Sequence, residues 1–288
     1  MNECAAAAAT GDEFDLSFHN AIIPQKPSPT LILSLFPGID LLGLGFQQEW
    51  PEACIVRGPD VIFGSLHDIR NFHPPAKRFD GVIGGPPCQC FSRLRYLNPK
   101  CGEKHGNLIP EFERVVSEAQ PGWFLMENVP DVPELSVPGY QIHSFVFNNR
   151  WTGAEQNRKR RISFGTADGR HLLIDVALFE APLVELAVTS SNRKVPVKLG
   201  GSGRIKCTYR PPTILGGHGA VPRQRDNGHE YNLERMCELQ GLPRGFTDEM
   251  PFTKHGKRQA IGNGVAMPTG RAIAKAVRRA MAQRGQNE

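Results

Sequence analysis

The chain has 288 residues, a formal charge of +5 from 34 basic and 29 acidic side chains, and an apolar fraction of 40%. That is a globular composition, long enough to bury a core without disulfide staples, and it excludes a disordered or fibrous chain. No apolar run approaches the length of a membrane span, and the alanine run Ala5–Ala9 follows Glu3 and leads into acidic residues, unlike a secretory leader. The seven cysteines (Cys4, Cys54, Cys88, Cys90, Cys101, Cys207 and Cys237) are odd in number and lack CxxC pairs. They read as reduced thiols of a cytoplasmic protein, with no metal site.

Residues 1–30 read as a loose extension punctuated by Pro24, Pro27 and Pro29. Leu31–Leu35 is a short buried strand, Pro37–Gly38 a break, and Leu41, Leu42, Leu44 and Phe46 mark a buried helix. Further strands are expected at Cys54–Val56, Val82–Ile83, Phe124–Met126, Phe145–Phe147 and Arg161–Phe164. Pro110 opens a helix carrying Phe112, Val115, Val116 and Ala119 on one face, and Pro121–Gly122 stops it. Strands alternating with helices predict an α/β fold with a largely parallel, covered sheet.

From Ser190 to Arg225 the chain carries eight basic residues, no acidic one, and many glycines and prolines. Such a stretch is either a solvated loop region or a surface that follows a phosphate backbone. The last helix, Pro268–Ala282, places Ile273, Val277, Ala280 and Met281 on one face, with Arg271, Lys275, Arg278 and Arg279 off it as solubilising charges.

Four segments carry potential chemistry. Leu35-Phe36-Pro37-Gly38-Ile39-Asp40 joins the first strand to the first helix, a turn that exposes helix amides beside a crevice. Asp60 and Asp68 follow at spacings suited to later strand ends, where a carboxylate either holds a ribose or amine or simply caps a helix. Gly84-Gly85-Pro86-Pro87-Cys88-Gln89-Cys90-Phe91-Ser92 ends a strand in a stiff turn that presents Cys88 near helix-start amides. The basic stretch after it, with Arg93 and Arg95, suits a mobile lid. Glu127-Asn128-Val129 ends another strand; a carboxyl there in an apolar pocket would have a raised pKa and could donate to a ring nitrogen. In Gln156-x-Arg158-x-Arg160, alternation puts both arginines on one side, able to address one ligand.

In this order the segments resemble the DNA (cytosine-5) methyltransferase family, from about Leu31 to Ala282. The resemblance is carried by PPCQ with Cys88, ENV at Glu127, QxRxR at Gln156, Glu238-Leu239-Gln240-Gly241-Leu242-Pro243, and Gly262-Asn263-Gly264-Val265. It implies a Rossmann-like S-adenosylmethionine-dependent methyltransferase sheet with a small, mostly irregular or β target-recognition domain. The expected divisions are an extension (1–30), a catalytic domain (31–166), a recognition domain (167–254) and a C-terminal segment returning to the catalytic domain (255–288).

By the resemblance Cys88 is the nucleophile, Glu127 binds the base edge, Arg160 holds the O2 side, and Arg158 orders the pocket and a nearby phosphate. Phe36, Gly38, Ile39, Asp60, Asp68, Ile69, Pro86, Leu108, Asn263 and Val265 would line the S-adenosylmethionine site. Gln89, Ser92, Arg93, Arg95, Arg204, Lys206 and Arg210 would contact double-stranded DNA. The implied protein is a cytoplasmic monomer, with a restriction endonuclease as a possible partner in a restriction-modification or phage-protection setting. A tRNA cytosine-5 methyltransferase and a catalytically silent DNA-binding homologue are the alternative readings.

Departures from the family pattern are local. Ser34 stands where the first motif usually has aspartate, and Asp40 where it usually has glycine. Arg57-Gly58-Pro59-Asp60 replaces the usual ribose-binding acid, with Asp60 as a substitute, and the Arg-Glu pair of the ninth motif reads Glu234-Arg235. The recognition region is short, which implies a short target site.

Overall fold

The computed structural model describes residues 29–92, 106–177, 214 and 232–282, together with the backbone of four short strands between 184 and 230. The main sheet contains β1 (Leu31–Leu35), β2 (Cys54–Arg57), β3 (Gly81–Gly84), β4 (Trp123–Asn128), β5 (Gln141–Asn148) and β6 (Lys159–Thr166) in the order β2-β1-β3-β4-β6-β5. The first four strands are parallel, whereas β6 runs antiparallel to both β4 and β5. The strand order reverses direction at β1, which opens a crevice at the carboxyl ends of β1 and β3.

Period-two alternation divides the sheet residues between two cores. Ile32, Ile83, Leu125, Ile162 and Phe164 face one side, where α1 (Leu41–Glu49) and α5 (Met267–Ala282) contribute Leu42, Phe46, Ile273 and Val277. Leu33, Val82, Phe124 and Met126 face the other, against Phe112, Val115, Val116 and Ala119 of α2 (Ile109–Ala119). Trp123 anchors the first core, stacked between Phe46 at 5.9 Å and Trp50 at 6.5 Å. A third cluster joins Leu41 and Ile214 to Met236 and Leu239 of α3 (Leu233–Leu239), Ile261 of α4 (Lys254–Asn263) and Met267. The remaining strands pair as β7 (Val184–Val188) with β8 (Ile205–Tyr209) and β9 (Arg225–Asp226) with β10 (His229–Glu230), both antiparallel.

The charged face of α5 fastens the helix. Arg271 pairs with Glu49, Arg278 with Glu52, and Lys275 and Arg279 with Asp175. The solubilising role expected from the sequence is therefore shared with holding α5 against the end of α1 and the segment after β6. Among the described residues, no helix is long and apolar enough to cross a membrane.

The α1–α5 crossing depends on a missing side chain. A Cβ at Gly45 would lie 2.9 Å from the backbone carbonyl carbon of Gly270, which cannot swing away as a flexible side chain would. Gly45→Val is expected to lower stability by about 1–3 kcal/mol in urea unfolding. An unchanged midpoint would contradict this packing.

Candidate active site

The site lies at the carboxyl ends of β1, β3 and β4 and the amino end of β6. Antiparallel pairing sets Glu127 against Ile162 and Asn128 against Arg161. The end of the parallel strand β4 and the start of β6 therefore meet at one edge. Glu127 is 6% exposed, and its Oε1 lies 2.9 Å from Arg160 Nε. The carboxyl that the sequence placed in an apolar pocket is one half of an ion pair.

Cys88 sits in the turn that follows β3, and its carbonyl accepts from the amides of Phe91 and Ser92. The turn is tied to β4 by Asn128, whose Nδ2 donates to the Pro86 carbonyl at 3.0 Å. Burial pushes the Cys88 thiol up; Arg160 opposes this, Glu127 reinforces it, and Arg158 opposes it. The thiol, the carboxylate and both guanidinium groups thus form one electrostatic unit.

Arg158 has partners that the alternation argument did not anticipate. It precedes β6, is 2% exposed, and donates to the carbonyls of Ile214 at 3.1 Å, Gly262 at 3.1 Å and Gly264 at 2.9 Å. The last turn of a helix leaves carbonyls without intrahelical donors, and the negative end of the helix dipole favours a cation there. Arg158 and Gln240 fill that role for α4, with Gln240 Nε2 donating to Ile261 and Gly264. Burial brings the Arg158 pKa down to about 9, and the adjacent Arg160 adds to the effect. Arg158 thus joins the start of β6 to the Gly262–Val265 segment and to Ile214, a connection with no local sequence signal.

The expected cofactor residues border the crevice from several elements. Phe36, Gly38 and Ile39 form the β1–α1 turn, Pro86 follows β3, Leu108 precedes α2 and is buried, and Val265 is buried after α4 while Asn263 is exposed. Beyond β2 lies a cavity of about 260 Å³, bounded by Gly58, Pro59, Leu66, Asp68 and Phe72 among others. It is smaller than a typical pocket for a complete drug-sized ligand, and so has room for one end of a nucleoside cofactor. Its lining mixes Gly58, Pro59, Leu66 and Phe72 with the polar side chains of Arg57, His67, Asp68 and Asn71, a set of donors and acceptors that fits the base and ribose of such a group.

Asp60 and Asp68 both act as caps: Asp60 accepts from the Ile62 amide and Asp68 from the Arg70 amide. Ile69 is buried beside them, and its carbonyl accepts from Arg114. Gln89 and Ser92 are half-buried in the Cys88 turn. Arg93, Arg95, Arg204 and Arg210 lie outside the described residues, as does the Lys206 side chain. Among the described residues, no group of three or more His, Cys, Asp or Glu side chains could hold a metal ion.

The family model for C-5 cytosine-specific DNA methylase matches residues 32–197. The chain belongs to this family. Type II methyltransferase M.HindV of Haemophilus influenzae is 23% identical over 301 residues, covering 85% of this chain and 95% of that protein. Type II methyltransferase M1.ScrFI of Lactococcus lactis subsp. cremoris is 24% identical over 312 residues, covering 87% and 78%. The structure of the Entamoeba histolytica methyltransferase EhMeth superposes with a TM-score of 0.58 at 12% identity, covering 88% of this chain and 98% of that one. That likeness establishes the α/β methyltransferase fold, and the family match establishes a cytosine-5 DNA methyltransferase lineage.

The electrostatics of the site carry a sign that can be tested. Arg160 draws the Cys88 thiol toward its ionised form and Glu127 opposes ionisation, and the thiolate is the species that alkylates. Measured by peptide mass spectrometry, the pH profile for Cys88 alkylation is expected to move up in Arg160→Met and down in Glu127→Gln. Coincident profiles for the three proteins would contradict the arrangement.

Proposed function

We propose that the chain transfers a methyl group to C5 of a cytosine in double-stranded DNA, with S-adenosylmethionine as donor and Cys88 as covalent nucleophile. The observation that carries this reading is the convergence at one sheet edge of the Cys88 turn, tied to β4 by Asn128, and the buried Glu127–Arg160 pair, with the buried Arg158 two residues before Arg160. A binding protein would have no need to bury a thiol among these charges.

The target base would have to leave the stack, because a nucleophile cannot reach C6 within the duplex. As the Cys88 Sγ–C6 bond forms, the C5–C6 electron pair makes C5 nucleophilic. Glu127, taking up a proton as the base enters, would donate it to N3 and accept from the exocyclic amine, which offsets the negative charge developing on the ring, with its orientation held by Arg160. Arg160 would also face O2. Bound S-adenosylmethionine supplies an electrophilic methyl group to this site; Phe36, Gly38, Ile39, Pro86, Leu108, Asn263 and Val265 would hold it, with Asp68 and Ile69 on the β2 side and Asp60 behind the Gly38 turn. Once C5 is alkylated, its proton leaves to a base and the Sγ–C6 bond breaks, which restores the ring and the thiolate.

Gln89 and Ser92, beside Cys88, would border the vacated base position. Arg93 and Arg95 would meet the backbone, and Arg204, Lys206 and Arg210 belong to the basic stretch proposed as the recognition surface. The protein would act in the cytoplasm as a monomer, and the type II names of its relatives favour a restriction-modification setting with a cognate endonuclease.

Transfer of labelled methyl groups to unmethylated DNA, with tRNA in parallel, tests the reading. The wild-type protein is expected to label DNA, and Cys88→Ser to lose activity by about three orders of magnitude or more. Labelling of tRNA alone would move the substrate to RNA. Salt-sensitive DNA binding without transfer would favour a silent homologue.

A further inference from the structure

We infer that Asp60 is a positioning residue for the cofactor, acting through the Gly38 amide without touching the ribose. The inference rests on the reading of the crevice as an S-adenosylmethionine site. Asp60 Oδ2 accepts from Gly38 N at 2.8 Å, and Oδ1 accepts from Ile62 N at 2.9 Å. Both oxygens are thus engaged by backbone amides, and one of these bonds crosses from the end of β2 to the β1–α1 turn. Hydrogen bonds to an ionised acceptor are the stronger kind.

That turn needs an outside hold. Phe36, Gly38 and Asp40 have φ of 52°, 54° and 59°, a left-handed conformation that suits glycine and strains the other two. Such a run persists only where its surroundings fix it. The structure supplies two clasps from the β2 side. One is Asp60 on Gly38. The other is Arg57, whose Nε lies 3.1 Å from Asp40 Oδ2, while Asp40 Oδ1 accepts from Ser34 Oγ at 2.8 Å and from Gly43 N at 3.1 Å. The Gly58 amide also donates to the Ser34 carbonyl at 2.8 Å. The two carboxylates thereby fix the spacing between the turn and the end of β2, and so hold the β1 side of the crevice in place.

Asp68, rather than Asp60, is among the described residues that line the cavity beyond β2. Asp60 is directed back toward the turn, where its work is to hold the Gly38 amide.

The test compares binding of S-adenosylhomocysteine and its 2′,3′-dideoxy analogue to the full-length wild-type chain, Asp60→Asn and Asp60→Ala. Calorimetric titration would be run at a temperature where circular dichroism shows each protein folded. Positioning predicts that Asp60→Ala weakens both ligands by the same factor, about tenfold, and that Asp60→Asn, which keeps one carbonyl acceptor, weakens both by less. If Asp60→Ala does not fold, equal weakening of both ligands in Asp60→Asn carries the test. A loss confined to the hydroxyl-bearing ligand would overturn the inference and make Asp60 a ribose ligand. Unchanged affinities with a lower Tm would also overturn it, leaving only a structural role. Failure of the wild-type chain to bind either ligand would overturn the cofactor reading itself, and the positioning role with it, before any variant is compared.

Discussion

A guanidinium taken out of water must find acceptors, and the way Arg158 finds them organises the rest of the site. Its three carbonyl partners belong to two segments far along the chain, at Ile214 and at the end of α4. Breaking such a contact strands a buried charge, an expensive outcome in a low-dielectric interior. The amino end of β6, the Gly262–Val265 segment and Ile214 are therefore held in register with one another. Arg160 lies two residues on, and the β4–β6 pairing carries it to Glu127.

The charge balance of the pocket follows from that convergence. Two guanidinium groups and one carboxylate surround the Cys88 turn, so a thiolate at Cys88 would complete two opposite pairs. Burial, and to a smaller extent Glu127, oppose ionisation of the thiol, and Arg160 and Arg158 act against them. Such surroundings make a thiolate at Cys88 less costly than it would be in an apolar core. The same argument gives Glu127 two tasks, orienting Arg160 and limiting ionisation of Cys88.

The positions of the candidate turns were legible in the sequence because each is a contiguous signal at a strand boundary. Cys88 behind two prolines, Glu127 at the end of an apolar run and Arg160 at the start of another all stand where the pattern implied. Strands alternating with helices likewise implied a sheet covered on both faces, and Ile32 and Leu33 do face opposite cores, as do Ile83 and Val82. What the pattern could not contain were partners remote in the chain: the carbonyls around Arg158, or the acids that engage the basic face of α5. The departures from the family motifs become intelligible only in three dimensions. Ser34 and Asp40 exchange an acid for a small residue and hydrogen-bond to each other, so a carboxylate remains at the end of β1. Burial pushes the Asp40 carboxyl up, and the Ser34 hydroxyl and Arg57 work against that rise. In the Glu234-Arg235 pair, Arg235 reaches Glu155 at 2.6 Å, just before Gln156. That contact ties α3 to the QxRxR segment.

The central claim is that these charges prepare Cys88 to add to C6 of a cytosine. Its most direct test is incubation of the chain with S-adenosylmethionine and duplex DNA containing 5-fluorocytosine, where the C5 substituent cannot leave as a proton and the thiol cannot be released. Peptide mass spectrometry is predicted to find the nucleotide bonded to Cys88 and absent from the Cys88→Ser protein. Methylation of ordinary DNA without any trapped adduct, or an adduct on Cys90, would contradict the account.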